Sequence, residues 1–415
     1  MTMRFPTYLF RRVVSSGATI AELDGLRAVA IVPVVLFHAL GYFLVKGLAN
    51  GSYTTEEASL ENGVGWLMSR GFLGVELFFV ISGFVVTLPF ARAALASSAA
   101  PTLRSFFLRR LTRIEPPYLI ALAIYLLAST LAAREHLDPA HYFAGAVYLK
   151  NALYHDQNWP FFVSWSLEIE IQFYLLAPLF AMVYRLRSAP LRRATLCAGI
   201  AVFGAYAANA RLVGVEAAPL GGPLQHGRWL GPELAFFLTG MLAADLWLAP
   251  PRFLIAWTKS LVGRLAWDLL WISGALMVLW SYNALEHSAW GIALLLGGLL
   301  LMCLGTFWSR LVRSALSIPL VSAIGGACFT IYLFQTHFIE AFGRLLLRFT
   351  SGEFTQDLLL IALPFSAITI ACCMLAFPFI ERPFMFRRWP SMVRAAIKAK
   401  SLSPLAGVFA KIESR

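Results

Sequence analysis

Long apolar segments dominate this chain, and they restrict the folds that it can adopt. About ten segments approach the roughly 20 residues that a helix needs to cross the hydrocarbon core of a bilayer. They lie near residues 28–46, 72–90, 116–133, 161–184, 195–210, 229–248, 267–282, 288–307, 318–341 and 358–381. Only 13% of the 415 residues are charged, about half the share of a soluble domain. The sequence therefore predicts an all-α fold, a polytopic bundle of about ten transmembrane helices.

The basic residues indicate how this bundle is oriented. If the N-terminus is cytoplasmic, 26 of the 34 Lys and Arg residues fall in cytoplasmic segments and eight in outer loops. The positive-inside rule then predicts an N-in, C-in protein. We expect a cytoplasmic N-terminal segment (1–20), a transmembrane domain (21–385) and a basic cytoplasmic tail (386–415) on the inner membrane surface. The same distribution explains the net charge of +12, so nucleic acid is not an expected partner.

The cysteines and the N-terminus indicate neither a disulfide framework nor a removed leader. All five cysteines lie in apolar runs without metal-ligand spacing: Cys197, Cys303, Cys328, Cys372 and Cys373. Buried apolar packing is the usual role of such residues, and we expect no metal site. The first twenty residues have no cleavable signal pattern, so the first span is expected to remain as an anchor.

One pair of ionisable residues marks the first span. Arg27 opens the apolar run and His38 lies deep within it. Eleven residues advance a helix by roughly 16 Å and about three turns, so both side chains should lie on nearly one face, although Pro33 could bend the helix. An ionisable group at mid-membrane depth is a functional candidate, and histidine exchanges protons near neutral pH.

Two further segments combine charge with apolar surroundings near the ends of spans. Glu76 lies in a glycine-containing run at the start of the second span. It is either an acid near the outer surface or a residue with a function or a specific ion pair. Arg109, Arg110 and Arg113 precede the third span, and the first and last of these share a helix face. They fit either a topology signal or a phosphate site, because arginine binds phosphate in bidentate fashion.

The fourth span contains two carboxylates, which are costly in an apolar segment. Glu168 and Glu170 are two residues apart and therefore point to different faces, whereas Glu170 and Tyr174 share one. Glu170 would lie at a depth similar to His38. A buried carboxylate there could orient or stabilise an imidazole, or form a structural ion pair with an arginine. His337 is a weaker candidate within a later span.

Taken together, these motifs resemble the acyltransferase-3 family of integral membrane acyltransferases, of the polysaccharide O-acetyltransferase type. The resemblance covers about residues 20 to 386 and involves Leu23–Arg27 with His38, Gly74–Phe84, Arg109–Pro116, Trp165–Tyr174, Tyr332-Leu333 and Glu381–Phe384. Each motif alone is weak, but the whole set in this order is specific. The chain departs from the family pattern at three places: Glu76 stands for Asp, Cys328-Phe329 for Ser/Thr-Tyr, and Gln335 for a frequent His.

The resemblance implies an O-acyltransferase in a bacterial plasma membrane. The expected donor is acetyl-CoA or another acyl-CoA from the cytoplasm. The expected acceptor is a hydroxyl of a cell-surface glycan or related molecule, and membrane lipids surround the protein. The implied activity is transfer of an acyl group, with acetyl as the default.

The resemblance and the residue pattern together give each candidate residue a role. We expect His38 to act as general base or as acyl carrier. Arg27 would position the donor or stabilise negative charge, and Glu170 would orient the acceptor or the imidazole. The other donor-binding residues are expected to be Arg109, Arg110 and Arg113, and the substrate-binding residues Glu76, Trp165, Ser166 and Tyr174.

Three other functions compete with this one. A transporter or flippase of glycan or lipid intermediates also uses ionisable residues within the membrane, but it predicts inverted repeats and broken helices in matching halves, and the sequence displays neither. A membrane glycosyl transferase predicts a large basic outer loop, whereas these loops are short. A binding protein with a degenerate site is disfavoured because Arg27 and His38 are intact. Dependence on acyl-CoA separates the first interpretation from all three.

Overall fold

The computed structural model describes residues 12, 20–54, 58, 60, 63–131, 138–153, 163–214, 229–285, 290–386, 389 and 391. Every regular element in these ranges is helical. The first eight α-helices are α1 (Ala21–Ala49), α2 (Gly63–Ser69), α3 (Gly74–Leu95), α4 (Leu103–Leu131), α5 (Pro139–Ala146), α6 (Lys150–Leu153), α7 (Ser164–Phe180) and α8 (Ala189–Gly214). The next nine are α9 (Leu230–Leu248), α10 (Arg252–Lys259), α11 (Leu261–Leu285), α12 (Trp290–Trp308), α13 (Leu311–Leu316), α14 (Pro319–Gly326), α15 (Cys328–Leu346), α16 (Phe354–Asp357) and α17 (Leu363–Ile380).

Shorter turns extend several of these helices. Four are 3₁₀ turns, at Arg70–Leu73, Ala181–Arg185, Leu347–Phe349 and Arg382–Met385, and one is a π-helical turn at Leu358–Ala362. The all-α prediction is confirmed for the described residues. Most of the predicted tail 386–415 and most of the N-terminal segment 1–20 lie outside the described residues, so the predicted division of the chain into these segments stays a prediction.

Seven helices in the described residues are long and apolar enough to cross a membrane, or nine if each of two bent pairs counts as one span. The bent pairs are α9 with α10, at 78°, and α14 with α15, at 72°. The predicted number of about ten is therefore not confirmed. Helix α8, which contains the predicted span 195–210, is not among them.

Two predicted boundaries were wrong. Helix α4 begins at Leu103, well before the predicted start at Pro116, and continues through Pro116 and Pro117. Proline marks many helix starts, but membrane helices also accommodate it internally. The predicted span 318–341 is broken at Ala327, where α14 ends and α15 begins.

The chain divides into two compact units. The first contains residues 1–71, 104–135 and 317–415, and the second contains residues 72–103 and 136–316. In the first unit, α1 packs against α2, α14, α15 and α17. An apolar cluster around Phe43, Phe354 and Phe365 fills the space beside the C-terminal half of α1.

The second unit is held by close approaches between helices. Gly83 of α3 lies against the backbone of Phe237 in α9, and Gly240 of α9 lies against the backbone of Val80. Small residues allow membrane helices to approach this closely. Phe237 also stacks on Phe173 of α7, with ring centroids 4.1 Å apart. At one end of α8, Arg192 and Arg193 both pair with the buried carboxylate of Asp245.

Candidate active site

The predicted site residues fall into two sets, one in each unit. The first unit holds Arg27, His38, Arg109, Arg110 and Arg113, and the second holds Glu76, Trp165, Ser166, Glu170 and Tyr174. Each set is therefore described within its own unit.

Helix α1 carries Arg27 and His38 on one continuous element. Its 29 residues run through Pro33 without a break, so the two side chains are separated by roughly 16 Å along a single axis. The carbonyl of Pro33 faces Gly71, where a Cβ would overlap it. Glycine at this position therefore lets the segment after α2 lie directly against the middle of α1.

The imidazole of His38 lies beside the side chain of Gln335. His38 is half-buried, and Gln335 on α15 is fully buried. The imidazole and the amide of Gln335 are close enough to interact. Gln335 is the residue that stands where the resembling family often has histidine. It therefore contacts the candidate catalytic side chain and can fix which ring nitrogen carries the proton.

A cluster of arginines and carboxylates surrounds the N-terminal end of α1. Arg27, which is 7% exposed, donates a hydrogen bond to the carboxylate of Asp24, one turn earlier. Arg12 lies 3.8 Å from the same carboxylate. The carboxylate of Asp24 thus holds the guanidinium groups of Arg27 and Arg12 close together. Its negative charge partly neutralises both of them.

A second carboxylate organises the neighbouring helices of this cluster. Glu381, which is 1% exposed, accepts hydrogen bonds from the backbone N–H and the hydroxyl of Thr330, at 3.1 and 2.9 Å. It also pairs with Arg113 of α4 at 3.6 Å. Arg113 is close enough to Arg12 and Arg27 for their charges to interact. Glu381 therefore connects the end of α17, the first turn of α15 and α4.

Gly325 explains why the break between α14 and α15 lies at this cluster. A Cβ at Gly325 would overlap the backbone of α1 at Asp24 and Ala28. The bare glycine lets the end of α14 touch α1, so that α15 begins beside Arg27. Cys328, the first residue of α15, is buried within range of the charge of Arg27.

The other two predicted donor-binding arginines, Arg110 and Arg109, have different surroundings from Arg113. Arg110 stacks its guanidinium on the ring of Phe106, 3.6 Å from the centroid, and donates to the Phe106 carbonyl. Arg109 is exposed. Of the predicted donor-binding arginines on α4, Arg113 pairs with a carboxylate of the cluster.

In the second unit, Glu170 connects two helices. Its carboxylate accepts hydrogen bonds from Tyr174, one turn later on α7, and from Ser82 on α3. The predicted shared face of Glu170 and Tyr174 is confirmed. Glu170 is half-buried, so a polar partner can still reach a carboxylate whose orientation is already set by two hydroxyl groups.

The other candidate residues of this unit lie on α3 and α7. Glu168 is fully buried and accepts a hydrogen bond from the backbone N–H of Asn151, so it does point away from Glu170, as predicted. Glu76 and Ser166 are buried, and Trp165 is half-buried with its ring 6.4 Å from that of Phe79.

His337, the weaker histidine candidate, has an aromatic environment in the first unit. Its ring lies 5.4 Å from that of Tyr125 and 5.6 Å from that of Phe334. It also contacts backbone carbonyls of Ala121 and Leu333. These contacts fit a packed histidine that bridges α4 and α15.

Sequence reasoning missed four residues of these arrangements: Arg12, Asp24, Ser82 and Glu381. Three of them stand inside the recognised motifs, so a search for polar residues in those motifs would have found them. No group of three or more His, Cys, Asp or Glu side chains in the described ranges could hold a metal ion.

The fold and the charged clusters define an integral membrane protein with ionisable groups on its apolar helices. The chain belongs to the acyltransferase-3 family: the family model described as an acyltransferase domain matches residues 20–377. The expected membership and the expected enzyme class, an acyltransferase, are confirmed.

Two relatives carry names that include an activity. The peptidoglycan O-acetyltransferase OatA of Listeria monocytogenes is 27% identical over 177 residues, which is 40% of this chain. The O-acetyltransferase OatA of Staphylococcus aureus (strain NCTC 8325) is 31% identical over 172 residues, which is 38% of this chain. Each alignment covers 24% of the relative, so the matched part spans about a quarter of the length of either one. No solved structure matches the chain.

Proposed function

We propose that this protein is a membrane O-acyltransferase. It moves an acyl group, by default acetyl, from cytoplasmic acyl-CoA to a hydroxyl of a cell-surface glycan or related acceptor. The observation that carries the proposal is the layout of α1, which has an arginine cluster at one end and His38 roughly 16 Å further along the same axis. The names of the relatives support acetyl as the transferred group.

The arginine cluster is the proposed donor site. Arg27 and Arg113 present guanidinium groups, which bind phosphate oxygens in bidentate fashion. Asp24 and Glu381 hold these groups in place through their ion pairs. Arg109 and Arg110, on the same helix as Arg113, extend the basic surface toward the start of α4. The phosphates of CoA would bind here, and the thioester arm would extend along α1 toward His38.

At His38 two routes lead to the same products. In the first, the imidazole removes the proton of the acceptor hydroxyl as the hydroxyl oxygen attacks the thioester carbonyl; the C–S bond breaks and the CoA thiolate takes up a proton. In the second, a ring nitrogen attacks the thioester carbonyl, the C–S bond breaks and CoA leaves as the thiol with the proton of the imidazole. The acceptor hydroxyl then attacks the acyl-imidazole, the N–C bond breaks and the hydroxyl proton returns to the imidazole. Gln335 positions the ring for either route.

The acceptor side of the proposal rests on the second unit. Glu170, oriented by Ser82 and Tyr174, would accept a hydrogen bond from the acceptor. Glu76, Trp165 and Ser166 remain predicted substrate-binding residues. The resemblance and the relatives' organisms support a bacterial plasma membrane, and the names of the relatives favour a peptidoglycan or another envelope glycan as acceptor.

The proposed orientation is N-in, C-in. The start of α1, the first turn of α15 and the end of α17 meet in the arginine cluster. Under this orientation they all face the cytoplasm, where acyl-CoA is available. The excess of Lys and Arg in the same segments supports this assignment.

The experiment that tests the proposal places donor and acceptor on opposite sides of a membrane. Proteoliposomes receive [¹⁴C]acetyl-CoA on the side of the arginine cluster, with envelope glycans on the other side. Wild-type protein is expected to label the glycans, and His38→Ala protein is not. Labelled glycan with both proteins would remove His38 from the mechanism. Translocation of unmodified glycan, with no label from acetyl-CoA, would favour the transporter and contradict the proposal.

A further inference from the structure

A basic pocket lies at the end of α1 opposite the arginine cluster. It has a volume of about 440 Å³ and is lined by Tyr42, Lys46, Ala49, Asn50, Arg344, Leu347 and Arg348. All of these residues belong to the first unit. Three of them are cationic, two others carry a phenol and an amide, and none is acidic. The lining therefore offers hydrogen-bond donors of the kind that surround a bound anion.

The two walls of this pocket are built from residues with helical spacing. Tyr42 and Lys46 are four residues apart on α1, and Arg344 and Arg348 are four apart at the end of α15 and its following turn. Residues at this spacing lie on one face. The ring of Tyr42 rests against Gly343, where a Cβ would overlap it. This close contact brings the two basic faces to the same cavity.

Among the described residues, the acid that pairs with a cation of the pocket is the exposed Glu340. Glu340 pairs with Arg344 at 3.9 Å, but both side chains are exposed, at 40% and 62%. Such surface pairs are weak. Lys46 and Arg344 lie in the last turns of their helices, where the helix dipole favours a cation. Arg348 lies beyond α15, in the following 3₁₀ turn, so the dipole of α15 does not explain why this position carries a cation.

The pocket continues the stripe of α1 that carries His38. His38, Tyr42 and Lys46 follow one another at steps of four residues, and each step drifts by about 40° around the helix. Lys46 thus lies roughly 12 Å beyond His38 along the axis. Along α1, Arg27 of the proposed donor site comes first, His38 follows in the middle, and the pocket residues Tyr42 and Lys46 come last.

We propose that this pocket binds an anionic oxygen group, a carboxylate or a phosphate, of the acceptor glycan and so directs an acceptor hydroxyl toward His38. This inference rests on the proposed acyl transfer. Lys46, Arg344 and Arg348 neutralise the anion, and Tyr42 and Asn50 add hydrogen bonds. Specificity for charged over neutral glycans then arises at the pocket, two helical turns from the reacting histidine.

The test compares matched probes on protein in phosphatidylcholine nanodiscs. One pair is a glycan disaccharide with a carboxylate and the same disaccharide as its amide; the other is a disaccharide with and without a phosphate ester. Wild-type protein is expected to bind at least one anionic probe at least tenfold more tightly than its neutral partner. The double variant Lys46→Gln/Arg348→Gln is expected to lose that preference and to keep its affinity for the neutral probes.

The matched control is Arg252→Gln/Lys259→Gln, which removes the same two charges from exposed positions of α10 in the second unit. It is expected to bind like wild type. The single variant Arg348→Gln, beyond the end of α15, is expected to lose about half of the preference on a logarithmic scale. It provides the test if the double variant does not fold. Equal binding of charged and neutral probes, or a preference that the pocket variants retain, would overturn the proposal.

Two further measurements show whether a negative result concerns the pocket or the proposed acyl transfer. Nanodiscs with phosphatidylglycerol show whether a lipid phosphate occupies the pocket: a wild-type preference abolished by that lipid would assign the pocket to lipid and overturn its acceptor role. Acetyl transfer from acetyl-CoA to the same probes is measured in parallel. Charge-selective binding without any transfer would refute the proposed acyltransferase activity. It would also refute the proposal that the pocket directs a hydroxyl to His38, and the pocket would then be an anion site alone.

Discussion

Glu381 offers a sharp test of how the arginine cluster is held together. Its carboxylate accepts two hydrogen bonds from Thr330 and pairs with Arg113. Replacing it by alanine removes all three partners at once. Glu381→Gln keeps an oxygen for Thr330 but removes the charge that Arg113 faces. Thr330→Val removes the hydroxyl alone and leaves the backbone hydrogen bond intact.

The expected magnitudes follow from burial. Glu381 and Thr330 are 1% and 0% exposed, so groups left without a partner there lose their hydration. Removing one member of a buried ion pair costs about 3–5 kcal/mol, and we expect Glu381→Ala to lie in that range. The side chain of Arg113 is 29% exposed, so water offsets part of the loss in Glu381→Gln, which should cost about 1–2 kcal/mol. Thr330→Val should cost about 1 kcal/mol.

The free energy of unfolding can be measured in mixed detergent micelles by titration with sodium dodecyl sulfate, followed by tryptophan fluorescence. Glu353→Ala is the matched control, because Glu353 is an exposed acid in the same unit; it should change the free energy by less than about 0.5 kcal/mol. The same variants should raise the KM for acyl-CoA in the order of their destabilisation. If Glu381→Ala costs no more than Glu353→Ala, the described role of Glu381 is wrong.

Three further predictions concern the second unit. Glu170→Gln is expected to lower kcat/KM for acyl transfer by about tenfold or more, and Tyr174→Phe by less, because Ser82 still orients the carboxylate; kinetics on folded protein checks this order. Gly240→Val should destabilise by about 1–3 kcal/mol, since a Cβ there overlaps the facing backbone; Gly41→Ala, which meets nothing within 4 Å, is its control in unfolding titrations. Asp245→Asn leaves two arginines poorly paired and should cost about 3 kcal/mol in the same titration.

The sequence predicted well those features that depend on local pattern. Helical periodicity alone places Arg27 and His38 on one helix, and Glu170 with Tyr174 on one face, because these residues are close in the chain. Apolar segments of sufficient length predict membrane helices because the bilayer sets that length. The start of α4 could not be predicted in this way, since a proline inside a helix carries the same local signal as a proline at a helix start.

Features that depend on distant residues could not be predicted. Arg113 and Glu381 are far apart in sequence, and no periodic pattern indicates that they pair. The bend at Ala327 depends on the contact of Gly325 with α1, which the local sequence does not encode. The place of Gln335 beside His38 arises likewise from the packing of α15 on α1.

The most direct test of the central claim measures acetyl transfer by purified protein carrying His38→Gln. The matched control is His337→Gln, a second histidine of the same unit that lies among aromatic rings and backbone carbonyls. Both variants are first shown to fold by their unfolding midpoints, and labelled acetyl-CoA is then supplied with envelope glycans. His38→Gln is expected to lose transfer by at least about 10³-fold, since both proposed routes need the imidazole. His337→Gln should retain transfer within a few fold. If folded His38→Gln protein transfers acetyl at the rate of that control, His38 has no role in the reaction.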